Sequence, residues 1–176
     1  MPQINGSLYK LFSASFSNEF GWFRPVSDGK CLIRLDWNQT GWLDKEHSDD
    51  VSRETRSQLK AYFAGKLHCF NIPLEPVGKS KEGMYWLEIM KKIPYATVIT
   101  YAELALLASK PGAARAAGSA CANNPIPIIY PCHRVIKSGG KIGNYGGGSA
   151  ENPSMPNNLA RKASLIALEQ RWVSAT

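Results

Sequence analysis

Cys132-His133-Arg134 puts a thiol, an imidazole and a guanidinium in consecutive positions, behind Pro131 and ahead of Val135. A thiol attacks only as the thiolate, and cations or imidazoles close by lower its pKa from about 8.5. Pro131 has no N–H and a fixed φ, so the sequence predicts an extended approach to the cysteine. In an extended chain neighbouring side chains point to opposite faces, which keeps His133 from taking the thiol proton directly. A bridging water or a bend has to close that gap. An arbitrary Cys-His pair is more often a buried structural cysteine beside a surface histidine. The surrounding elements therefore decide.

Upstream, Trp86, Ile89, Met90 and Ile93 recur at i, i+3, i+4 and i+7, which predicts a helix with one buried face, stopped by Pro94. Thr100-Tyr101-Ala102-Glu103 is a capping-box sequence and opens a short helix to about Ala108. A second helix is predicted over Gly112–Ala122, and the two outline a helix-turn-helix. That second helix is nearly all small residues, with Arg115 as its one charge. Its small side chains suit close packing against another helix, or entry into a nucleic-acid groove. Asn123-Asn124-Pro125-Ile126-Pro127 ends it and leads into the cysteine segment. Downstream, Ser138-Gly139-Gly140 and Gly143-Asn144-Tyr145-Gly146-Gly147-Gly148 offer bare backbone to a flat ligand but match no dinucleotide or phosphate loop. Residues 149–158 read as a loop, and a last helix starts near Leu159.

The N-terminal half reads differently. Strands are predicted over 7–16, Gly21–Val26 and Cys31–Trp37, the last two joined by a turn at Ser27-Asp28-Gly29-Lys30. A helix follows from about Asp50 to Ala64, ended by Gly65, with Leu59, Tyr62 and Phe63 on one face. Residues 66–80 are a proline-punctuated connector, which places the boundary between domains 1–78 and 79–176.

Length and composition describe an ordinary globular protein: 176 residues, 44% hydrophobic and 20% charged. No apolar run approaches the roughly 20 residues that cross a bilayer, and the first residues do not resemble a signal peptide. The four cysteines at 31, 69, 121 and 132 form no Cys-x-x-Cys pair and read as reduced thiols, which predicts a cytoplasmic or nuclear protein. Residues 1–80 carry 10 Lys+Arg against 9 Asp+Glu, whereas residues 81–176 carry 11 against 5. The excess positive charge sits in the half that holds Cys132. It fits a polyanionic partner or a solvated basic surface.

Taken together, Ile93-Pro94-Tyr95, Thr100-Tyr101-Ala102-Glu103-Leu104-Ala105, Ala113-Ala114-Arg115-Ala116, Asn124-Pro125-Ile126-Pro127, Pro131-Cys132-His133-Arg134-Val135 and Gly143-Asn144-Tyr145 resemble the O6-alkylguanine-DNA alkyltransferases. The match reaches back to Tyr62-Phe63-Ala64-Gly65 and forward to Lys162 and Glu169. The resemblance implies an α/β N-terminal domain, with a ribonuclease-H-like antiparallel sheet and a helix, then a mainly helical C-terminal domain with a helix-turn-helix. It implies direct DNA repair in which an O6-alkylguanine is flipped from the duplex and its alkyl group passes irreversibly to Cys132, once per molecule. His133 would deprotonate Cys132 through a water, oriented by Glu169. Tyr101 would give a proton to N3 of the leaving guanine, Arg115 would fill the space of the flipped base, and Asn124 would brace the helix-turn-helix against the cysteine segment. Ala114, Gly118 and Arg134 would be further DNA contacts. The pocket would be lined by Cys132, Val135, Tyr145, Gly146 and Pro127, with the carbonyls of Cys132 and Val135 accepting from the guanine amino group and the Gly146 N–H meeting O6.

This scheme needs no cofactor and no metal. Some members of that family hold a zinc in the N-terminal domain, but Cys31, His47, His68 and Cys69 have no ligand spacing here. The partner expected is double-stranded DNA, bound by a monomer with weak sequence preference and an affinity that falls with salt. Two features depart from the resemblance. Residues 149–158 lengthen the loop before the last helix and so affect the register of Glu169. Tyr130 stands where an aliphatic residue is usual, at the expected pocket floor. A non-catalytic damage-binding protein of the same fold is the alternative reading, with a Cys-His hydrolase behind it.

Overall fold

The strand expected over 7–16 is broken by what it pairs with. The computed structural model describes residues 3–4, 7–8, 10–42, 44–146 and 156–174, in two compact units, Met1–Gly78 and Lys79–Thr176. In the first unit the short strands β1 (Gln3–Ile4) and β2 (Ser7–Leu8) pair with each other. A four-stranded antiparallel sheet holds β3 (Phe12–Ser13), β4 (Phe16–Asn18), β5 (Gly21–Ser27) and β6 (Leu32–Asn38). The central β5 pairs with β6 along one edge, in a register that sets Phe23 against Trp37 and Pro25 against Leu35. Along its other edge β4 pairs up to Phe23 and β3 from Val26, leaving a break opposite Arg24-Pro25. Pro25 has no N–H to give to a ladder, so the sheet tolerates it only where pairing lapses. Nearby loop groups take the freed positions: Ser13 N donates to the His47 carbonyl at 2.7 Å and Ser15 N to Glu46 Oε2 at 2.9 Å.

Helix α1 (Asp50–Phe63) starts where its sequence says it should. The Asp49 side chain caps Ser52 N, the Ser52 hydroxyl returns the bond to Asp49 N, and Ser27 Oγ at the end of β5 donates to Asp49 Oδ2 at 2.5 Å. One carboxylate thus ties the helix start to the central strand. Although burial opposes it, these bonds hold the Asp49 carboxyl below its ordinary value. Gly65 lies at φ +70, the left-handed turn that ends α1 without a Cβ clash. Leu59 and Tyr62 face the sheet and are buried with Phe23, Leu32, Leu35 and Trp37. Phe63 is only half-buried, stacked near Phe20.

The second unit opens with α2 (Lys81–Met90), whose Trp86, Leu87, Ile89 and Met90 are buried. Strand β7 (Ile99–Thr100) leads directly into α3 (Tyr101–Leu107), and both halves of the Thr100/Glu103 capping box form. After a turn in which Ser109 and Gly112 take left-handed φ comes α4 (Ala114–Ala122), two residues later than the sequence suggested. A 3-10 turn at Cys132–Arg134 is followed by β8 (Val135–Ile136), which pairs parallel with β7, and then by a second tight turn at Ser138–Gly140. Helix α5 (Pro156–Ser174) closes the unit. It begins at Pro156, so residues 156–158 belong to it and not to the expected loop; Pro is well suited to a first helical position. The rest of that loop, 149–155, lies outside the described residues. Among the described residues no helix is long and apolar enough to cross a membrane.

Candidate active site

The chain does not reach Cys132 extended. Pro131 sits at φ −82, ψ 59, the centre of an inverse γ-turn, and Cys132 N donates back to the Tyr130 carbonyl at 2.8 Å. Arg134 N then bonds the Pro131 carbonyl at 2.9 Å, coiling 132–134 into the 3-10 turn. This corrects the extended approach expected from Pro131: the proline supplies the bend. Just before it, Tyr130 N closes onto the Ile126 carbonyl at 3.0 Å around Ile128, a buried β-branched residue at φ +73. Such a conformation costs on the order of 1–3 kcal/mol and persists only when its surroundings impose it.

Asn124 imposes it. Its Oδ1 accepts from Ile126 N at 3.0 Å, and its Nδ2 donates both to the Tyr130 carbonyl at 2.7 Å and to Cys132 Sγ at 3.1 Å. Asn124 follows the C-cap of α4, so one amide joins the helix end, the strained turn and the thiol. Burial pushes the wholly buried Cys132 thiol up, while the Asn124 donor and the Lys162 ammonium pull it back.

His133 is also wholly buried. Its Nε2 lies 2.8 Å from Glu169 Oε1, and Glu169 further accepts from Arg134 Nε and Nη2 at 2.9 Å each and from Ala96 N at 2.9 Å. Although burial opposes it, the bonds from His133 and Arg134 and their charges hold the Glu169 carboxyl well below the usual carboxylate range. An ionised carboxylate only accepts, so Nε2 carries the imidazole proton and Nδ1 is the lone pair. Nδ1 is buried with no hydrogen-bond partner among the described residues. Burial also lowers the His133 pKa below its ordinary value, more than Glu169 restores it. The resting pair is therefore a neutral thiol and a neutral imidazole with an open acceptor. That is a base awaiting a proton.

Arg134 requires a correction. It is buried, with Nη1 on the Ile93 carbonyl at 2.7 Å and the rest of its fork on Glu169, so its charge is committed inside the protein and not offered to DNA. Tyr130, the other departure from the resemblance, is tied to α2. Its ring is buried and its hydroxyl reaches Glu88 Oε1 on α2 at 3.1 Å, so it anchors the cysteine turn to α2.

Tyr101, the first residue of α3, is half-buried between two glycines. A Cβ on Gly118 would lie 3.9 Å from its Cδ1, while one on Gly143 would come within 3.0 Å of Cε2 and Cζ and closer still to the hydroxyl. Its hydroxyl lies 3.4 Å from Lys162 Nζ. Burial, then the nearby Cys121 and Cys132 thiols, raise the Tyr101 pKa, so the phenol keeps its proton at neutral pH. Val135, Tyr145, Gly146 and Pro127 are all buried around the cysteine turn and the glycine-rich segment, and a Cβ on Gly146 would strike the Ala122 carbonyl at the end of α4. The Cys132 carbonyl already accepts from Val135 N. Arg115 is exposed on α4, and Ala114 and Gly118 are half-buried on the same helix.

Sequence reasoning passed over Lys162 and Gly143 as members of the site. Lys162 is wholly buried on α5; burial lowers its pKa, and the Cys132 and Cys121 thiols raise it. The signal was available. Lys162 and Glu169 are seven residues apart and so fall on the buried stripe of α5 with Leu165 and Leu168, a place where unpaired charge is not expected. Among the described residues no three His, Cys, Asp or Glu side chains gather to hold a metal ion.

Two family models match the chain: the DNA-binding domain of 6-O-methylguanine DNA methyltransferase over residues 85–171, and its ribonuclease-like domain over 14–76. A methylated-DNA–protein-cysteine methyltransferase from Mycolicibacterium paratuberculosis is 41% identical over 139 residues, covering 79% of this chain and 76% of that protein. One from Haemophilus influenzae is 34% identical over 144 residues, covering 78% and 80%. The crystal structure of Mycobacterium tuberculosis O6-methylguanine methyltransferase superposes with a TM-score of 0.75 at 32% identity, covering 92% of this chain and 94% of that one. The Mycobacterium tuberculosis OGT in complex with DNA gives 0.74 at 32% identity, over 90% and 92%.

Proposed function

Since the chain belongs to the O6-methylguanine DNA methyltransferase family, it repairs DNA by moving an alkyl group from the damaged base to a cysteine of its own, and we propose that this cysteine is Cys132. The observation that carries the assignment is the buried Sγ under the Asn124 amide, beside an imidazole whose proton Glu169 fixes on the far nitrogen. The thiol proton passes to His133 Nδ1 through a water, and the S–C bond forms as the C–O6 bond breaks. The electron pair released on O6 enters the purine ring, which takes a proton at N3 from Tyr101. Lys162, 3.4 Å from the Tyr101 oxygen, favours the phenolate that this leaves. A thioether carbon has no route back, so each molecule acts once.

The remaining roles follow from the surfaces. The base reaches a buried thiol only by leaving the stack, which costs a few kcal/mol and is helped by a plug. Arg115, exposed on the small-residue helix α4, is that plug, with Ala114 and Gly118 letting the backbone approach the duplex. Tyr145 walls the pocket, and the Gly146 N–H and the Cys132 and Val135 carbonyls read the guanine edge. With DNA as its substrate, the protein works in the cytoplasm, or in the nucleus of a eukaryote.

The test is intact mass and peptide mapping after incubation with duplex DNA containing O6-methylguanine. One methyl group on Cys132, with no second addition, is the expected result. Methyl on another residue, or none while the damaged duplex stays bound, would overturn the assignment. Gly143→Ala probes Tyr101 in the same assay. Its methyl has no room beside the phenol, so Tyr101 is displaced and single-turnover transfer is expected to fall between ~10- and ~100-fold with DNA affinity retained. An unchanged rate would remove Tyr101 from the scheme.

A further inference from the structure

We propose that the exposed loop Lys137–Lys141 is a second phosphate-binding element, whose two lysines hold the DNA backbone on the side of Tyr101 away from α4. The parallel pairing of β7 and β8 sets Thr100 against Ile136, so the chain leaves the two strands side by side at Tyr101 and Lys137. Lys137 N bonds the Lys141 carbonyl at 2.9 Å and closes the loop. Gly139 and Gly140 at its tip take φ +74 and +75, and a Cβ on either would meet nothing within 4 Å. Both lysines are exposed, and neither forms an ion pair among the described residues. Lys137 is close enough to the buried end of the site for its charge to act on Lys162.

Tyr101 gives the loop its place. Gly118 of α4 lies along the Cδ1–Cε1 edge of the ring, and Gly143, just beyond the loop, lies against Cε2 and the hydroxyl. Helix α4 and the loop therefore flank opposite edges of the ring past which a nucleotide must travel to reach Cys132. A duplex seated on α4 brings the phosphates next to the extruded nucleotide across to the loop. Two exposed ammonium groups there neutralise backbone charge without reading bases, since lysine meets phosphate as a point charge. A bare glycine tip lets the backbone come close. Cations at this point also offset the local crowding of phosphates when the strand is bent out of the stack.

The experiment is the salt dependence of binding for Lys137→Ala/Lys141→Ala, on undamaged and on O6-methylguanine duplexes. Each lost phosphate contact lowers the slope of log affinity against log salt by about 0.9, so a fall approaching ~2 is expected on both duplexes alike. Transfer at saturating DNA should match the native rate, and Lys137→Arg/Lys141→Arg should restore the slope. Replacing Lys45 and Lys66, which removes equal charge from the N-terminal unit, should leave it unchanged. An unaltered slope in the loop variant would overturn the proposal. So would a lowered saturating rate with unchanged affinity, or an equal loss from the Lys45/Lys66 pair. The inference rests on the DNA-repair reading above; failure of that reading would appear as absent methyl transfer in the native protein, whereas failure of this one leaves transfer intact.

Discussion

Cys132→Ser is expected to abolish alkyl transfer to the protein while leaving the fold and the binding of damaged duplex intact. Serine keeps the shape of the side chain and can still accept from Asn124 Nδ2, which donates to Sγ at 3.1 Å in the native site. The reaction is lost because a hydroxyl is far less acidic than a thiol and a poor match for a soft alkyl carbon. The native site already works against desolvation, since burial pushes the Cys132 thiol up while Asn124, Lys162 and a backbone hydrogen bond pull it back. Mass spectrometry on the damaged duplex reads transfer, and a melting curve reads the fold. Residual methylation of the variant would place the acceptor elsewhere, with Cys121 as the next buried thiol of the unit.

Glu169→Gln carries the second large effect, because one carboxylate gathers several buried donors. It accepts from His133 Nε2, from the Arg134 fork and from Ala96 N. An amide has one acceptor oxygen and turns an NH2 toward donors, leaving the Arg134 guanidinium buried without its counter-charge. Breaking a buried pair in this way costs about 3–5 kcal/mol. Loss of the carboxylate also frees the imidazole to place its proton on Nδ1, the nitrogen needed as the base. Transfer by the folded fraction is then expected to fall on the order of 10²-fold or more. A variant with the native melting temperature and the native rate would sink this account.

The same network sets an acid limit. Glu169 has its pKa held below the unfolded value, so the stability it contributes is present above about 4.3 and is lost as pH falls toward its folded pKa. The His133 pKa is lowered, so its imidazole stays neutral through the ordinary imidazole range near 6.5. Transfer should therefore hold its plateau below pH 6.5 and fail only at more acidic pH.

Much of this was legible without coordinates, wherever a local rule acts alone. Thr100 and Glu103 announce a helix start, and both capping bonds form. Trp86, Ile89, Met90 and Ile93 announce a buried face, and all four are buried, although α2 ends at Met90 and Ile93 lies in the turn beyond it, short of Pro94. The Asp50 helix ends at its glycine, and the turn before Cys31 lies where the strands on either side require it. The motif set around Cys132 led to the family, because short segments in fixed order carry that information whatever the packing.

Tertiary structure decided what depends on partners distant in sequence. Pro25 is harmless in its own strand and costs the neighbouring one its continuity, a fact that appears only when the ladder is drawn. Pro131 reads as extended in isolation, but the Tyr130 carbonyl and the Asn124 amide close it into a γ-turn. Arg134 looks like a cation for DNA until Glu169 arrives, 35 residues later, and takes its charge. The sequence by itself determined which residues could do the chemistry and which short elements hold them. Only the folded chain decided which charges are spent inside and which are left to meet a ligand, because in a desolvated interior every charge must find its partner before it can serve anything else.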